Sequence, residues 1–304
     1  MRIVLLVNST ASNVTTRASV AVSEVLRVEH AVEVQQTQGR HHATAIAREA
    51  AERGIDVVAV LAGDGTLNEA ADGLAGTDTA LAPLPGGSTN VYARTLGVSH
   101  SATGAASHLL ASLRRRSFLR IGLGVANGRR FLFHAGVGFD AAVIHRVEKY
   151  RPLKRYFAQP LHVVSAFDTW FRHYDRRRQR FDVTLPDGES ITGAGFAIVS
   201  KTPLYTYLGR RGLEVAPEAG LDTPLSLTAF QAMDPLTLIG AAASAMLSGR
   251  FLAHRHGVVH RGGLTELEVT AIRPFPWQVD GDFVATTTRL EVTYEPDVLD
   301  LVVP

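Results

Sequence analysis

Asp56-Val57-Val58-Ala59-Val60-Leu61 runs directly into Ala62-Gly63-Asp64-Gly65-Thr66-Leu67-Asn68-Glu69, and a second glycine-rich loop, Leu84-Pro85-Gly86-Gly87-Ser88-Thr89-Asn90, follows shortly after. The apolar run has the pattern of a parallel strand buried on both faces. Small and polar residues straight after it mark a strand-to-helix turn. Glycine lets the backbone approach an anion, and successive N–H groups at a helix N-terminus bind one. Two such turns close together make a nucleotide phosphate cradle. Asp64 adds a carboxylate for Mg²⁺, or for a ribose or hydroxyl contact. The pair of loops points to phosphotransferase chemistry.

Outward from this stretch, the first 125 residues alternate apolar runs with amphipathic ones. Ile3–Val7, Ala31–Gln35, Val57–Leu61 and Ala80–Pro83 read as strands; Arg17–Val28, His42–Arg53, Leu67–Leu74 and Val91–Leu96 read as helices, two of them stopped by Gly54 and Gly97. This order predicts a three-layer α/β domain over residues 1–125. From about residue 117 the pattern changes. Leu119–Ala126, Arg130–Ala135, Phe181–Leu185, Gly195–Val199, Leu225–Phe230, Leu267–Ala271 and Leu290–Tyr294 are short strands bounded by Gly, Pro or Asp. Helices at Asp140–Tyr150 and Pro235–Gly249 interrupt them. Residues 126–295 are thus expected to be a mostly antiparallel β-sandwich, with the tail, 296–304, returning to the first domain.

The 304 residues are 46% hydrophobic, ample for two cores, and the net charge of +2 implies no global nucleic-acid footprint. The absence of cysteine excludes disulfides and thiolate metal sites and fits a reducing cytosol. Ile3–Val7 is too short for a signal-peptide core, and Leu236–Leu247 too short to span a bilayer, so the expectation is a cytoplasmic protein, at most peripheral at a membrane. Residues 146–180 are the most basic region, with ten Arg or Lys against three acids and interleaved aromatics. They read as a solvated helix face or, more sharply, as a patch for anionic lipid headgroups.

Other motifs are weaker. All three lysines (Lys149, Lys154, Lys201) lie outside the glycine-rich loops, so there is no Walker A motif. Gly136-Val137-Gly138-Phe139-Asp140-Ala141-Ala142 fits a dinucleotide fingerprint in letters, but no βαβ repeat follows, and a tight turn before a helix explains it. His254 and His256, expected on one face of a strand with His260 nearby, lack an acidic partner to complete a metal set.

The two loops also carry a resemblance. Ala62-Gly63-Asp64-Gly65-Thr66-Leu67-Asn68-Glu69 and Pro85-Gly86-Gly87-Ser88-Thr89-Asn90-Val91-Tyr92-Ala93-Arg94 resemble the two signatures of the diacylglycerol kinase catalytic-domain family, which includes bacterial lipid kinases and sphingosine and ceramide kinases. Ala62 stands for a glycine, Ser88 for a threonine and Val91 for an aspartate. The likeness extends to Asn8 and Thr37 after the first two strands, to the 136–141 segment, and to Val279-Asp280-Gly281-Asp282.

The resemblance implies a nucleotide-binding α/β domain followed by a β-sandwich. It also implies ATP-dependent transfer of the γ-phosphate, with Mg²⁺, to the hydroxyl of diacylglycerol or a related lipid, and hence a place in phospholipid biosynthesis. It puts the nucleotide on Asn8, Thr37, Gly63, Asp64, Gly65, Thr66, Asn68, Glu69, Gly86, Gly87, Ser88 and Asn90. Asp282 matches the family's general base. Asp280 is the second candidate, since residues two apart on an extended segment face one way, although an Asp-Gly hairpin turn is the plain alternative. Asp64 is expected to share the acceptor or metal role. The active site is expected in the cleft between the domains, with an apolar acyl pocket in the second. A family motif whose acids hold a structural Mg²⁺ is reduced to Leu221-Asp222-Thr223-Pro224-Leu225-Ser226-Leu227, leaving Asp222 as the one metal candidate. The rival readings are an NAD kinase-like enzyme and a catalytically silent lipid- or nucleotide-binding protein. The lipid's identity and the oligomeric state, a homodimer included, stay open.

Overall fold

The computed structural model describes residues 1–149 and 180–304. The chain forms two compact units, Met1–Leu123 with Pro296–Pro304, and Gly124–Glu295. The tail, residues 296–304, belongs to the first unit.

The first unit is built on parallel strands β1 (Arg2–Val7), β2 (Ala31–Gln36), β3 (Val57–Ala62) and β4 (Ala80–Pro85), in the order β4-β3-β1-β2. β3 and β4 are buried along their whole length, as continuous apolar runs require, whereas β2 is a largely exposed edge carrying Glu33 and Gln35. Side chains alternate across the sheet. Ile3, Leu5, Val57, Ala59 and Leu61 form one core cluster with Val22 and Leu26 of helix α1 (Thr16–Arg27) and with Ala105, Ala106 and Leu109 of α5 (Ala102–Arg114). Val4, Leu6, Val58 and Val60 are equally buried on the other face. There α2 (His42–Glu52) packs against α3 (Asp64–Leu74) so closely that a Cβ on Gly73 would meet Ala47 Cβ at 2.9 Å. α4 (Val91–Thr95) follows the second glycine loop. α3 begins at Asp64, three residues earlier than the apolar spacing indicates, and α5 was not foreseen at all.

The second unit is mostly antiparallel. β7 (His134–Gly138) pairs with β10 (Phe196–Ser200) and with β15 (Glu266–Val279); β10 pairs with β13 (Leu225–Phe230), and β13 with β14 (Val258–Leu264). β8 (Phe181–Thr184) and β9 (Ser190–Ala194) extend from β15, while β11 (Leu204–Leu208) and β12 (Arg211–Glu214) form a separate hairpin. β5 (Phe118–Ala126) meets β6 (Arg129–Phe131) within this unit. The single strand expected at Arg130–Ala135 is thus two, β6 and β7. Leu267–Ala271 and Leu290–Tyr294 are the cores of far longer strands, β15 and β16 (Asp282–Val302). Helices α6 (Phe139–Lys149), α7 (Pro235–Leu247) and α8 (Gly249–Ala253) complete the described elements.

His254 and His256 lie in the turn after α8 rather than on a strand, and no group of three His, Cys, Asp or Glu able to hold a metal exists among the described residues. Apart from its two ends, the basic stretch 146–180 lies outside the described residues. No described helix is long and apolar enough to cross a membrane.

Candidate active site

In the first unit the C-terminal ends of four adjacent parallel strands carry the candidate residues. Asn8 follows β1, Thr37 follows β2, Gly63-Asp64 follows β3 and Gly86-Gly87-Ser88 follows β4. Open α/β sheets bind ligands at this edge. The two glycine loops touch. A Cβ on Gly87 would stand 2.8 Å from Gly63 Cα, and one on Gly86 would stand 2.8 Å from Ala62 N. Neither position tolerates a side chain without moving backbone. Gly86 N donates to Ala62 O at 2.9 Å, and Asn90, at φ 49, folds back so that Gly87 N donates to its Oδ1 at 2.7 Å. Asn13, absent from the sequence-derived set, holds the same loop by donating through Nδ2 to Gly87 O at 2.6 Å and through its backbone N to Gly86 O at 3.0 Å. The polar run Asn8–Asn13 after β1 was its only signal. Asn8 Nδ2 donates to Thr66 Oγ1 at 2.9 Å, tying the end of β1 to the first turn of α3.

The role expected of Asp64 needs correction. Its Oδ2 accepts Val91 N at 2.9 Å and its Oδ1 accepts Tyr92 N at 3.1 Å. The carboxylate therefore caps α4 and locks one glycine loop to the other. Burial pushes its pKa up while the two amides pull it down. With an amide on each oxygen, the carboxylate acts in this structure as a clamp between the loops. Glu69 is engaged by α2, accepting Ala43 N in its first turn at 3.3 Å. Asn68 is buried. By contrast the N-cap of α3, Gly63, makes no side-chain cap bond, and Ser88 is exposed at the loop tip. The cradle thus suits the oxygens of a polyphosphate. Mg²⁺ finds no multi-carboxylate cage among the described residues, so its fit is as a companion of the phosphates.

In the second unit Val279 pairs with Asp282, and Asp280 (φ 48) and Gly281 (φ 83) form the two-residue turn joining β15 to β16. The two aspartates are thus not side by side on an extended segment. Asp280 Oδ2 accepts Leu132 N at 2.7 Å, and its Oδ1 accepts Phe133 N and His134 N at 3.0 Å each. A carboxylate consumed by three backbone amides is a clamp, and Asp280 is not the base. Asp282 is half-buried, and its carboxylate has no hydrogen-bond or ion-pair partner among the described residues.

The turn is braced from behind. Gly281 N donates to Gln278 Oε1 at 2.8 Å, Gln278 Nε2 to Asp140 Oδ2 at 2.7 Å, and Tyr205 Oη to Asp140 Oδ1. Gly136, read from sequence as part of a tight turn, has no Cβ because one would collide with the Asp140 carboxylate. His134 is buried beside the rings of Phe133 and Tyr205, and burial pushes its pKa down to about 3.

Beside Asp222, the one metal candidate, the structure places a cation of the chain's own. The fully buried Lys201 donates through Nζ to Gly220 O at 2.7 Å and Leu221 O at 2.9 Å. Burial lowers its pKa to about 8, against the pull of Asp222. An internal ammonium already supplies positive charge to this loop, and a divalent ion beside it would be repelled.

These features put a glycine-loop cradle on the strand edge of an α/β unit and, in the same chain, an antiparallel unit whose Asp282 carboxylate has no partner among the described residues. Residues 2–120 match the diacylglycerol kinase catalytic domain, the family whose signatures the two loops resemble. A diacylglycerol kinase of Bacillus subtilis (strain 168) is 38% identical over 99 residues, 32% of this chain and 31% of the relative. The chain spans between 31% and 53% of the lengths of the curated relatives it matches. In fold it is similar to the crystal structure of a diacylglycerol kinase from Bacillus anthracis str. Sterne, with TM-score 0.70 at 17% identity, covering 100% of this chain and 97% of that one. It is also similar, at TM-score 0.53 and 14% identity, to an NAD kinase from Archaeoglobus fulgidus in complex with ATP, covering 99% of this chain and 93% of that one.

Proposed function

We propose that the chain is a lipid kinase that transfers the γ-phosphate of ATP to the hydroxyl of diacylglycerol or a related lipid. The observation that carries this reading is the pair of glycine loops in contact at the strand edge, held by Asp64, Asn13 and Asn90, with no side-chain cap on the α3 N-terminus. Phosphoryl transfer is mostly positioning and charge neutralisation, and a rigid cradle of amides supplies both. Ser88 and the first-turn amides of α3 bind phosphate oxygens. Mg²⁺ carried by the nucleotide would supply charge neutralisation for the phosphates held in this cradle. Asp282 takes the proton of the acceptor hydroxyl. As the alcohol oxygen bonds to the γ-phosphorus, the bond from that phosphorus to the β–γ bridging oxygen breaks and ADP leaves. The basic composition of residues 146–180 and a lipid acceptor support a reading of peripheral contact with an anionic membrane surface.

Transfer of labelled γ-phosphate to diacylglycerol, sphingosine, ceramide and NAD in mixed micelles tests this. Label in a lipid is expected. Label in NAD alone would move the chain to NAD kinase chemistry, and ATP binding without any transfer would make it a silent binder. Asp282→Asn is expected to lower the rate by about 100-fold or more, the usual worth of a general base, with ATP affinity unchanged.

A further inference from the structure

α7 is apolar on both sides. Its inner face, Ala241, Ser244 and Ala245, is buried in a cluster with Phe230, Met233 and Leu252. Its outer face carries Leu236, 81% exposed, Ile239, 60% exposed, and Leu247, 72% exposed; Phe251 of α8 adds another, 63% exposed. Positions 236, 239, 243 and 247 follow helical spacing, and Ala243 is exposed as well. A helix with no polar face needs an apolar neighbour.

The charges around it say which kind. Arg255 lies across Gly240 of α7 and donates through Nη1 to Ser244 Oγ at 3.2 Å. Arg250 is exposed on α8, and Arg210 and Arg211 sit at the turn of the β11–β12 hairpin, which packs on α7 and exposes Leu208. None of these four arginines has an acidic partner among the described residues. The neighbouring acids are spent on helix ends: Asp234 accepts Thr237 N at 2.9 Å, and Glu214 accepts Gly249 N at 2.6 Å. Exposed large apolar side chains ringed by guanidinium groups without an acidic partner among the described residues are complementary to acyl chains beneath anionic headgroups.

We infer that the outer face of α7, with Phe251 and the flanking arginines, docks this chain on an anionic lipid surface. The inference extends the lipid-kinase reading, on which its functional sense rests, but it is measurable without phosphoryl transfer.

Cosedimentation without nucleotide tests it. The two vesicle types are phosphatidylcholine alone and an equal mixture of phosphatidylcholine and phosphatidylglycerol. The protein is expected to pellet with the mixed vesicles, far less with the neutral ones, and less as salt rises. Ile239→Glu with Leu247→Glu is expected to weaken binding by about tenfold or more, and Arg210→Glu with Arg250→Glu to abolish the preference for the anionic surface. Both pairs are at exposed positions and are expected to melt with the parent; Leu236→Ser is a milder variant should either fail to fold. Failure to pellet, equal binding to both vesicles, or unimpaired binding by the Ile239/Leu247 variant overturns the inference. So does a parent that is dimeric by sedimentation velocity, made monomeric by that variant and inert to vesicles, which would assign the face to a second copy. Transfer to a short-chain diacylglycerol dispersed as monomers is expected to persist in all these variants. Its loss from the parent would refute the kinase reading and leave docking standing.

Discussion

Asp280→Asn separates a structural carboxylate from a catalytic one. Asn keeps the volume, and its remaining oxygen can still accept Phe133 N and His134 N, bonds now at 3.0 Å each. Its NH₂ then faces Leu132 N, which donates to Oδ2 at 2.7 Å in the parent. One charge-assisted hydrogen bond worth about 1.5–3 kcal/mol disappears, and a buried amide left without an acceptor costs about 1–3 kcal/mol more. We expect a loss of about 3–5 kcal/mol in unfolding free energy. For a unit of this size that lowers Tm by on the order of 10 °C. The assay is calorimetric melting alongside Asp282→Asn, which is expected to melt with the parent because its carboxylate has no partner to lose among the described residues. Below its own melting transition Asp280→Asn is expected to keep phosphoryl transfer. The reasoning is refuted if Asp280→Asn melts with the parent yet has no transfer activity, while Asp282→Asn remains active.

Three further expectations concern other parts of the chain. Gly87→Ala drives a methyl to 2.8 Å from Gly63 Cα; parting the loops is expected to weaken ATP binding by about tenfold, read by calorimetric titration, at a stability cost of about 1–3 kcal/mol. The His134 pKa is depressed from 6.5 to about 3. Below pH 6.5 the unfolded chain therefore binds a proton that the fold refuses, so stability is expected to fall as pH drops from 6.5 towards 3, and His134→Leu should flatten that limb in chemical denaturation. Lys201→Met strands the carbonyls of Gly220 and Leu221 and is expected to cost about 2–4 kcal/mol. The melting temperature of the parent, by contrast, should not respond to a divalent-ion chelator.

Local pattern made much of this fold legible. β3 and β4 announce themselves because both faces are buried and every residue is apolar or small. The glycine loops do so because only glycine allows backbone to lie on backbone at Gly86 and Gly87. What stayed hidden depends on partners distant in sequence. Asp280 and Asp282 look equivalent as letters, and only the amides of residues 132–134 reveal that the first is a clamp. Asp64 reads as a metal ligand, and only the amides of Val91 and Tyr92 reveal that it clamps the two loops. Lys201 gave no signal, since its acceptors come from another loop. α5 escaped because Ala, Ser and Gly dilute its apolar stripe, and β15 looked short because Pro274 and Pro276 interrupt it.

β16 is 21 residues long, and its last stretch lies beside β4, with Leu301 opposite Leu81. Gly76 N donates to Val298 O at 2.7 Å, Arg120 reaches Asp300 at 3.1 Å, and Val303 N donates to Ser117 O at 3.1 Å. A ribosome making this chain releases the four-stranded half-sheet early, but β4 keeps an unpaired rim until residues 298–303 emerge. The first unit therefore cannot finish folding before synthesis of the other unit is complete. Cutting the gene after codon 123 would deliver a fragment with an open, adhesive flank rather than a free-standing module.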